Sequence, residues 1–489
     1  MKMKKIYFIS LTLLVILVLT ACGPKDTRPV LRYAAWNLGT EEQNNIERRL
    51  IKAYQEENPN IRIEIIPRPA VVNEDGEESE VGWFDFFSTN AANGTLPDVF
   101  QVADLTSWII QGWVEDISDL ALEDEDLKLV PEDIVNNTRY DGKLLALPQS
   151  MFYYGFFINR TAYEDIRGNK EVNYGITFDE LMEAASKNFR RDLDTGGTGV
   201  AGISGMNALI EWLPAQYDNS LDWFTFNEED GYHLDSDAFA TAINKQMEYY
   251  PSNEDASNKN YLYVLDALID DDKILQYNTT SPWGAGKQSI IWSQSYNIRD
   301  WIGSTLDPNH PLYMNDIDFI GTPKIGDTHK IPVIMDYIAV GRGSQVREEA
   351  YDFARYMGYG IDGFKKRIEI AKEHPEAGAI NFAPMAQDEE LIDLYFSLYP
   401  SMTEFRKVVE EHKEFINESL WKTTPGYWDS RSNAGYDENQ NIGEVINKIL
   451  HKELILADVV VNLNKAANDA WKREKIKLDN ALNSYYKNN

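Results

Sequence analysis

Leu31-Arg32-Tyr33-Ala34-Ala35-Trp36 reads as a strand, and together with the helix and second strand downstream of it decides the fold. Thr40 and the acidic residues after it open a helix running to about Glu57, with Ile46, Leu50, Ile51 and Tyr54 at helical spacing. Asn58-Pro59-Asn60 stops that helix, because proline has no N–H to donate and pushes the preceding residue out of helical geometry. Ile61 to Ile66 then alternates apolar and polar residues as a second strand. Strand, helix, strand in this order predicts an α/β domain with parallel pairing.

Working outward, residues 68–80 are acidic and loop-like, a helix is expected over Gly82–Ala92, and Pro97-Asp98-Val99-Phe100-Gln101-Val102 is a third strand. A short helix near Thr106–Gln111 and the segment Trp113–Leu120 come next. Asp141-Gly142-Lys143 is a turn, after which Leu144–Pro148 starts a strand that runs on through Phe152–Ile158. Thr177 and Glu180 form a capping box at a helix start. Further helices are expected at 236–249, 259–271, 345–358, 387–397, 400–413 and 440–450. A long one covers 456–485, with Val459, Val460, Leu463, Ala466, Ala467 and Trp471 as its core face. There is no internal repeat and no low-complexity tract.

The chain has 489 residues, 47 basic and 79 acidic, and a formal net charge of −32. An apolar fraction of 43% is too high for a disordered acidic chain, so a folded globule is expected. At roughly 150 residues per domain this length suggests about two to four domains. A surface this acidic repels phosphate backbones and carries no basic patch, which argues against nucleic acid as a partner. The single cysteine excludes an intramolecular disulfide and any CxxC site.

That cysteine has its own context. Lys2, Lys4 and Lys5 precede an apolar run from Ile6 to Leu19, which at about 14 residues is short for a bilayer span but suits a signal-peptide core. Leu19-Thr20-Ala21-Cys22-Gly23 resembles the bacterial lipobox, in which the cysteine is lipidated and becomes the first mature residue. The expectation is a signal peptide over 1–21, a lipid on Cys22, a tether over 22–30, and attachment to the outward side of the cell membrane. Removing 1–21 takes away three lysines and no acids, which turns −32 into −35.

Several pieces then occur in a characteristic order: Asn58-Pro59-Asn60-Ile61, Gly94-Thr95-Leu96-Pro97-Asp98-Val99, Asp141-Gly142-Lys143 with Leu147-Pro148, and Phe156-Phe157-Ile158-Asn159. Thr177-Phe178-Asp179-Glu180, Trp283-Gly284-Ala285-Gly286-Lys287, Gly321-Thr322-Pro323, Ala350-Tyr351-Asp352-Phe353 and Pro425-Gly426-Tyr427 continue it. The ordered set resembles the extracellular solute-binding proteins of family 1 type, the carbohydrate-binding component of ABC importers. The resemblance implies an α/β, two-lobed, periplasmic-binding-protein-like fold of type II, with a ligand cleft between lobes joined by a multi-strand hinge. It places residues 31–147 plus 316–341 in lobe 1 and 148–315 plus 342–489 in lobe 2, with crossovers near Pro148, Asp316 and Gly341. It also implies a carbohydrate ligand, ABC permease subunits as partners, a monomer, no cofactor and no enzyme activity.

A sugar offers a flat C–H face to aromatic rings and an equator of hydroxyls to Asp, Asn, Gln or Arg. Strand ends that face the cleft are where open α/β sheets bind ligands. On that basis the resemblance points to Trp36 and Asn37 after the first strand, although the Trp36 indole could equally pack under the next helix. Gln101 and Asp104 follow the third strand and read alternatively as solvent-exposed loop residues. Gln149, Phe152 and Tyr153 lie in the crossover. Asn207, Glu211 and Trp212 follow a glycine-rich loop, and Gln294 and Tyr296 end a segment in which the family carries a stacking tryptophan. Asp336 and Tyr337, with Trp428 and Arg431 after the Pro425-Gly426 turn, complete the set. Trp283, Pro97 and Asp98 read as structural.

Other signals are set aside. Gly197-Thr198-Gly199-Val200-Ala201-Gly202 fits GxGxxG, but a polar stretch precedes it where a dinucleotide site needs a strand, so a loop is expected. Glu123/Glu125 and Glu389/Glu390 are chance neighbours among 79 acids, and Asp270-Asp271-Asp272 lacks the glycine and closing glutamate of a calcium loop. No HExxH or GxSxG occurs, and neither catalytic nor metal-ligating residues are assigned. The rivals that remain are a surface glycoside hydrolase or lyase, and a receptor of the same fold for a peptide, metal or polyamine.

Overall fold

A computed structural model describes residues 26–36, 38–67, 70–72, 78–80, 83–164, 172–188, 190–191, 198–249, 282–378 and 380–487. The expected signal peptide, Cys22, Asn37 and the helix expected over 259–271 lie outside the described residues.

Ten strands make the main sheet: β1 (Val30–Ala34), β2 (Arg62–Ile66), β3 (Val99–Val102), β4 (Leu147–Asn159), β5 (Arg190–Arg191), β6 (Thr198–Ile203), β7 (Gln288–Gln294), β8 (Ile317–Gly321), β9 (Ile331–Val340) and β10 (Phe415–Asn417). Their order is β2-β1-β3-β9-β4-β7-β6-β5, with β8 also paired to β4 and β10 to β9. The opening follows the expected strand, helix, strand order, although the helix starts at Ile46 rather than at Thr40. β1 lies parallel to β2 with Tyr33 opposite Ile65, and the helix between them, α1 (Ile46–Glu57), buries Ile46, Leu50, Ile51 and Tyr54. Asn45 caps α1 by accepting from the Arg48 N–H.

Two long strands hold the molecule together. β4 has 13 residues, pairing with β9 through Leu147–Tyr153 and with β7 through Tyr154–Ile158. Both pairings are antiparallel, so β4 passes from one apolar core into the other. The first core gathers β1, β3 and the helices Arg347–Met357, Ile361–Glu373, Glu389–Phe396 and Thr403–Glu411. The second gathers Phe156, Ile158, Trp212, Trp292, the helix Ile442–Leu450 and the first half of the helix Leu456–Tyr485. At roughly 1.5 Å per residue this last helix extends about 45 Å. Its Leu463, Ala467 and Trp471 lie in the second core and its Leu478 and Leu482 in the first.

Packing divides the chain differently from the expected boundaries. β8, expected with lobe 1, has Ile317 and Phe319 in the first core and Ile320 in the second, and pairs with Phe156–Asn159 of β4. Arg347–Met357 and Ile361–Glu373, expected in lobe 2, lie against α1 and in the first core. The physical reason is that the chain returns to the first core after β9, so sequence position past the crossover does not fix the lobe. A second difference is β6: the expected loop at Gly197–Gly202 is a strand from Thr198, pairing parallel to β7 with Ala201 opposite Gln288 and Ile203 opposite Ile290. Burial of Val200, Ala201 and Ile203 overrides the low strand propensity of the flanking glycines. Among the described residues no helix is long and apolar enough to cross a membrane.

Candidate ligand-binding cleft

The crossing of β4 and β9 sets the floor of the site. Burial alternates along both strands: Phe152 and Tyr154 on β4, and Ile334 and Asp336 on β9, are half-buried, while the residues between them are buried. Phe152 is opposite Ile334 and Ser150 opposite Asp336, so these side chains share one face, as period-2 geometry requires. The other face is closed by Tyr153 against Phe405 and Phe415.

Lys422 pins the floor. Its Nζ donates to Asp336 Oδ1 at 2.7 Å and to the Met335 carbonyl at 2.6 Å, and Ser150 Oγ donates to Asp336 Oδ2 at 2.8 Å. Lys422 is almost fully buried, which an ammonium tolerates only with such partners. Glu418, four residues earlier, follows β10 directly. Burial pushes its carboxyl above the usual carboxylate range; Lys422 opposes that shift and Glu211 adds to it.

The far wall is aromatic. Tyr154 and Trp292 lie 4.6 Å apart between ring centres, Trp292 stacks on Trp212 at 5.4 Å, and Trp223 stacks on Tyr154 at 6.2 Å. Phe152 meets Tyr296 edge-on at 5.7 Å, and Tyr296 is 39% exposed. Trp428 is more open still, at 56%. Arg431 donates to Glu211 Oε1 and lies over the Phe224 ring. Burial disfavours the guanidinium charge, but the Glu211 carboxylate more than offsets it and raises the Arg431 pKa. Glu211 Oε2 is buried with no hydrogen-bond partner among the described residues.

The residues expected from sequence fall into two groups. Trp36, Phe152, Glu211, Gln294, Tyr296, Asp336, Trp428 and Arg431 keep some exposure, and Asn207 is exposed on its loop. Gln101, Gln149, Tyr153, Trp212 and Tyr337 are buried. Gln101 Nε2 donates to Gln149 Oε1 at 2.8 Å and Gln101 Oε1 accepts from the Trp36 N–H at 2.8 Å, which ties the end of β1 to the crossing strand. Asp104 caps the helix Leu105–Ile110, accepting from the Ser107 N–H and from the hydroxyls of Thr106 and Ser107. Sequence reasoning missed Glu418 and Lys422, which stand in no local pattern among 79 acids and 47 bases. Among the described residues no group of three acidic, histidine or cysteine side chains is placed to hold a metal.

Phe152, Tyr154 and the Asp336–Lys422 pair thus lie along the paired strands β4 and β9, where β4 runs from one apolar core into the other. The profile of the bacterial extracellular solute-binding protein family matches residues 39–358. The chain belongs to that family. Solved structures agree on the fold of this solute-binding protein. An ABC substrate-binding protein from Listeria monocytogenes in complex with cycloalternan is 16% identical, with a TM-score of 0.56 over 94% of this chain and 99% of that one. A sugar transporter from Rhizobium etli in an open conformation is 13% identical, with a TM-score of 0.64 over 90% and 98%. A cyclic alpha-maltosyl-1,6-maltose binding protein from Arthrobacter globiformis is 16% identical, with a TM-score of 0.59 over 91% and 100%. No curated protein matches the sequence. The solute-binding protein thus has the two-lobed α/β fold, with β4 running from one apolar core into the other.

Proposed function

We propose that this chain is the substrate receptor of an ABC importer and captures a carbohydrate, an oligosaccharide or sugar derivative, for delivery to a membrane permease. The observation that carries this reading is the half-buried face of β4 and β9, where Phe152 packs on the exposed Tyr296 ring and Asp336 holds Lys422, with the exposed Trp428 and the Glu211–Arg431 pair as further candidates. Rings cover the C–H face of a pyranose, and the charged groups hydrogen-bond its hydroxyls. The saccharides named for the solved relatives support the same class.

Phe152, Glu211, Gln294, Tyr296, Asp336, Trp428 and Arg431 then contact ligand, with Trp36 at the end of β1 joining them. Gln101, Asp104, Gln149, Tyr153, Trp212 and Tyr337 position them from behind, and Asn207 sits at the rim. A ligand that touches both lobes shifts the balance toward the closed form by its differential contact energy. The permease reads that closed shape. In this reading the chain binds without turnover, acts as a monomer, and needs no cofactor. A lipid on Cys22 holds it at the outward face of the membrane, and the mature charge of −35 keeps its body off anionic headgroups.

A thermal-shift screen of the mature protein against mono- and oligosaccharides tests this. A ligand at 100 times its dissociation constant stabilises by about 2.7 kcal/mol. A shift with saccharides supports the proposal. Silence across all sugars with a hit among peptides or amines overturns the ligand class, and cleavage of the glycan points to a hydrolase or lyase.

A further inference from the structure

Glu418 is the least compensated charge in the cleft. Its backbone is fixed by its N–H, which donates to the Val333 carbonyl at 3.0 Å. Its carboxylate has one hydrogen bond among the described residues, from Ser419 Oγ to Oε2 at 3.3 Å, long for a hydroxyl on a charged oxygen. Lys422, the nearest cation along the chain, has committed its ammonium to Asp336 and the Met335 carbonyl. Glu211 is in a related state, with Oε1 taken by Arg431 and Oε2 buried and unpartnered among the described residues. The wall therefore sets three carboxylates against two cations, and both cations are already bound. Burial raises the pKa values of the Tyr154, Tyr296 and Tyr427 phenols, and the Glu418 charge adds to that push.

We infer that Glu418, with the unpartnered Oε2 of Glu211, makes this cleft favour uncharged saccharides and closes it to uronate- or phosphate-bearing ones. The inference rests on the carbohydrate reading above and narrows it. The lone pairs on both carboxylates need donors, and the hydroxyls of a neutral sugar supply them as charge-assisted bonds. An anionic substituent brings acceptors to acceptors and adds a like charge in a partly desolvated space, where screening by water is weak. An ammonium-bearing sugar would meet the same oxygens without that repulsion, since Lys422 and Arg431 are already paired, so the exclusion applies to anionic substituents.

The test is a calorimetric titration of the mature protein with three groups of probes. These are neutral oligosaccharides (a panel including mannotriose, maltotriose and cycloalternan), trigalacturonate, and the glucosamine trimer. The expected result is saturable binding within the neutral group and affinity at least 100-fold weaker for trigalacturonate. In Glu418→Gln, checked for an unchanged melting temperature, neutral affinity falls roughly tenfold and the gap to trigalacturonate narrows; Glu211→Gln narrows it in the same direction. Trigalacturonate binding as tightly as the best neutral probe overturns the inference and leaves the carbohydrate receptor standing. So do unchanged affinities and selectivity in a folded Glu418→Gln. Silence of all three groups removes the receptor reading and the inference together. The wild-type comparison decides the matter even where a variant does not fold.

Discussion

Arg431 lays its guanidinium across the ring of Phe224, 3.8 Å from the ring centre, while its Nη2 donates to Glu211. Phe224 has φ 52 and ψ 46, and Thr225 after it has φ 62, left-handed geometry that non-glycine residues rarely adopt. Such backbone costs on the order of 1–3 kcal/mol per residue and persists where the surroundings over-determine it. Here it puts an aromatic platform under the arginine that orients a cleft carboxylate. Arg431→Ala leaves the half-buried Glu211, with its buried Oε2, without its cation, and a loss of about 3 kcal/mol is expected in urea unfolding. Arg431→Lys keeps the charge but loses the flat stack and should fall between the two. Equal stability of wild type and Arg431→Ala would show that the pair contributes nothing to the fold.

The two tryptophans singled out from sequence should behave oppositely. Trp428 is 56% exposed and Trp212 is fully buried against Trp292. Trp428→Ala is expected to weaken saccharide binding tenfold or more with the melting temperature unchanged. Trp212→Ala opens a core cavity and should lower stability by about 3–5 kcal/mol. Calorimetry and denaturant titration of both variants check the contrast.

Acid should loosen the crossing from its back face. His329 and His412 lie 4.8 Å apart between ring centres. Burial holds His329 down to about 4 and His412 to about 3, the latter helped by the His329 charge. Tyr174 Oη donates to His412 Nδ1, and the two Nε2 groups donate to the carbonyls of Glu414 and Thr322. Lys324 and Lys413 add positive charge nearby. Both pKa values are depressed below the ordinary 6.5, so the contribution to stability is complete above that pH and is lost as pH falls toward 4 and then 3. Denaturant midpoints measured from pH 7 to pH 4 should decline, and His412→Gln should flatten the decline. A slope unaltered by that substitution contradicts this account.

Cys22→Ser tests the anchor. Loss of the acceptor thiol is expected to release the protein to the medium or leave it unprocessed, read by cell fractionation and intact mass. Unchanged membrane retention would remove the lipid from the account.

How much of this was legible in the sequence depends on range. β1, α1 and β2 are local and strongly periodic, and the Asn58-Pro59-Asn60 stop is written in the chain, so they read directly. The aromatic run Phe152–Ile158 announced the crossing strand. β6 did not read as a strand, because its glycines carry no propensity and its stability comes from β7. The helix Ile361–Glu373 escaped notice as well, since one of its inward-facing residues is Arg367, an arginine paired with Glu47 across the fold. In the cleft, aromatic and turn residues pointed to Trp428, Arg431 and Tyr296. Glu418 gave no sign, because its meaning arises from Lys422 being spent on Asp336, a relation only the folded chain creates.

The central claim is that a carbohydrate binds in the cleft and leaves unchanged. Calorimetric titration of the mature protein with the best saccharide from the thermal screen, followed by mass analysis of the recovered glycan, tests it directly. The account predicts one saturable site, intact glycan, and at least a tenfold loss of affinity in Trp428→Ala. Absence of heat with every saccharide, or recovery of a cleaved glycan, would contradict it.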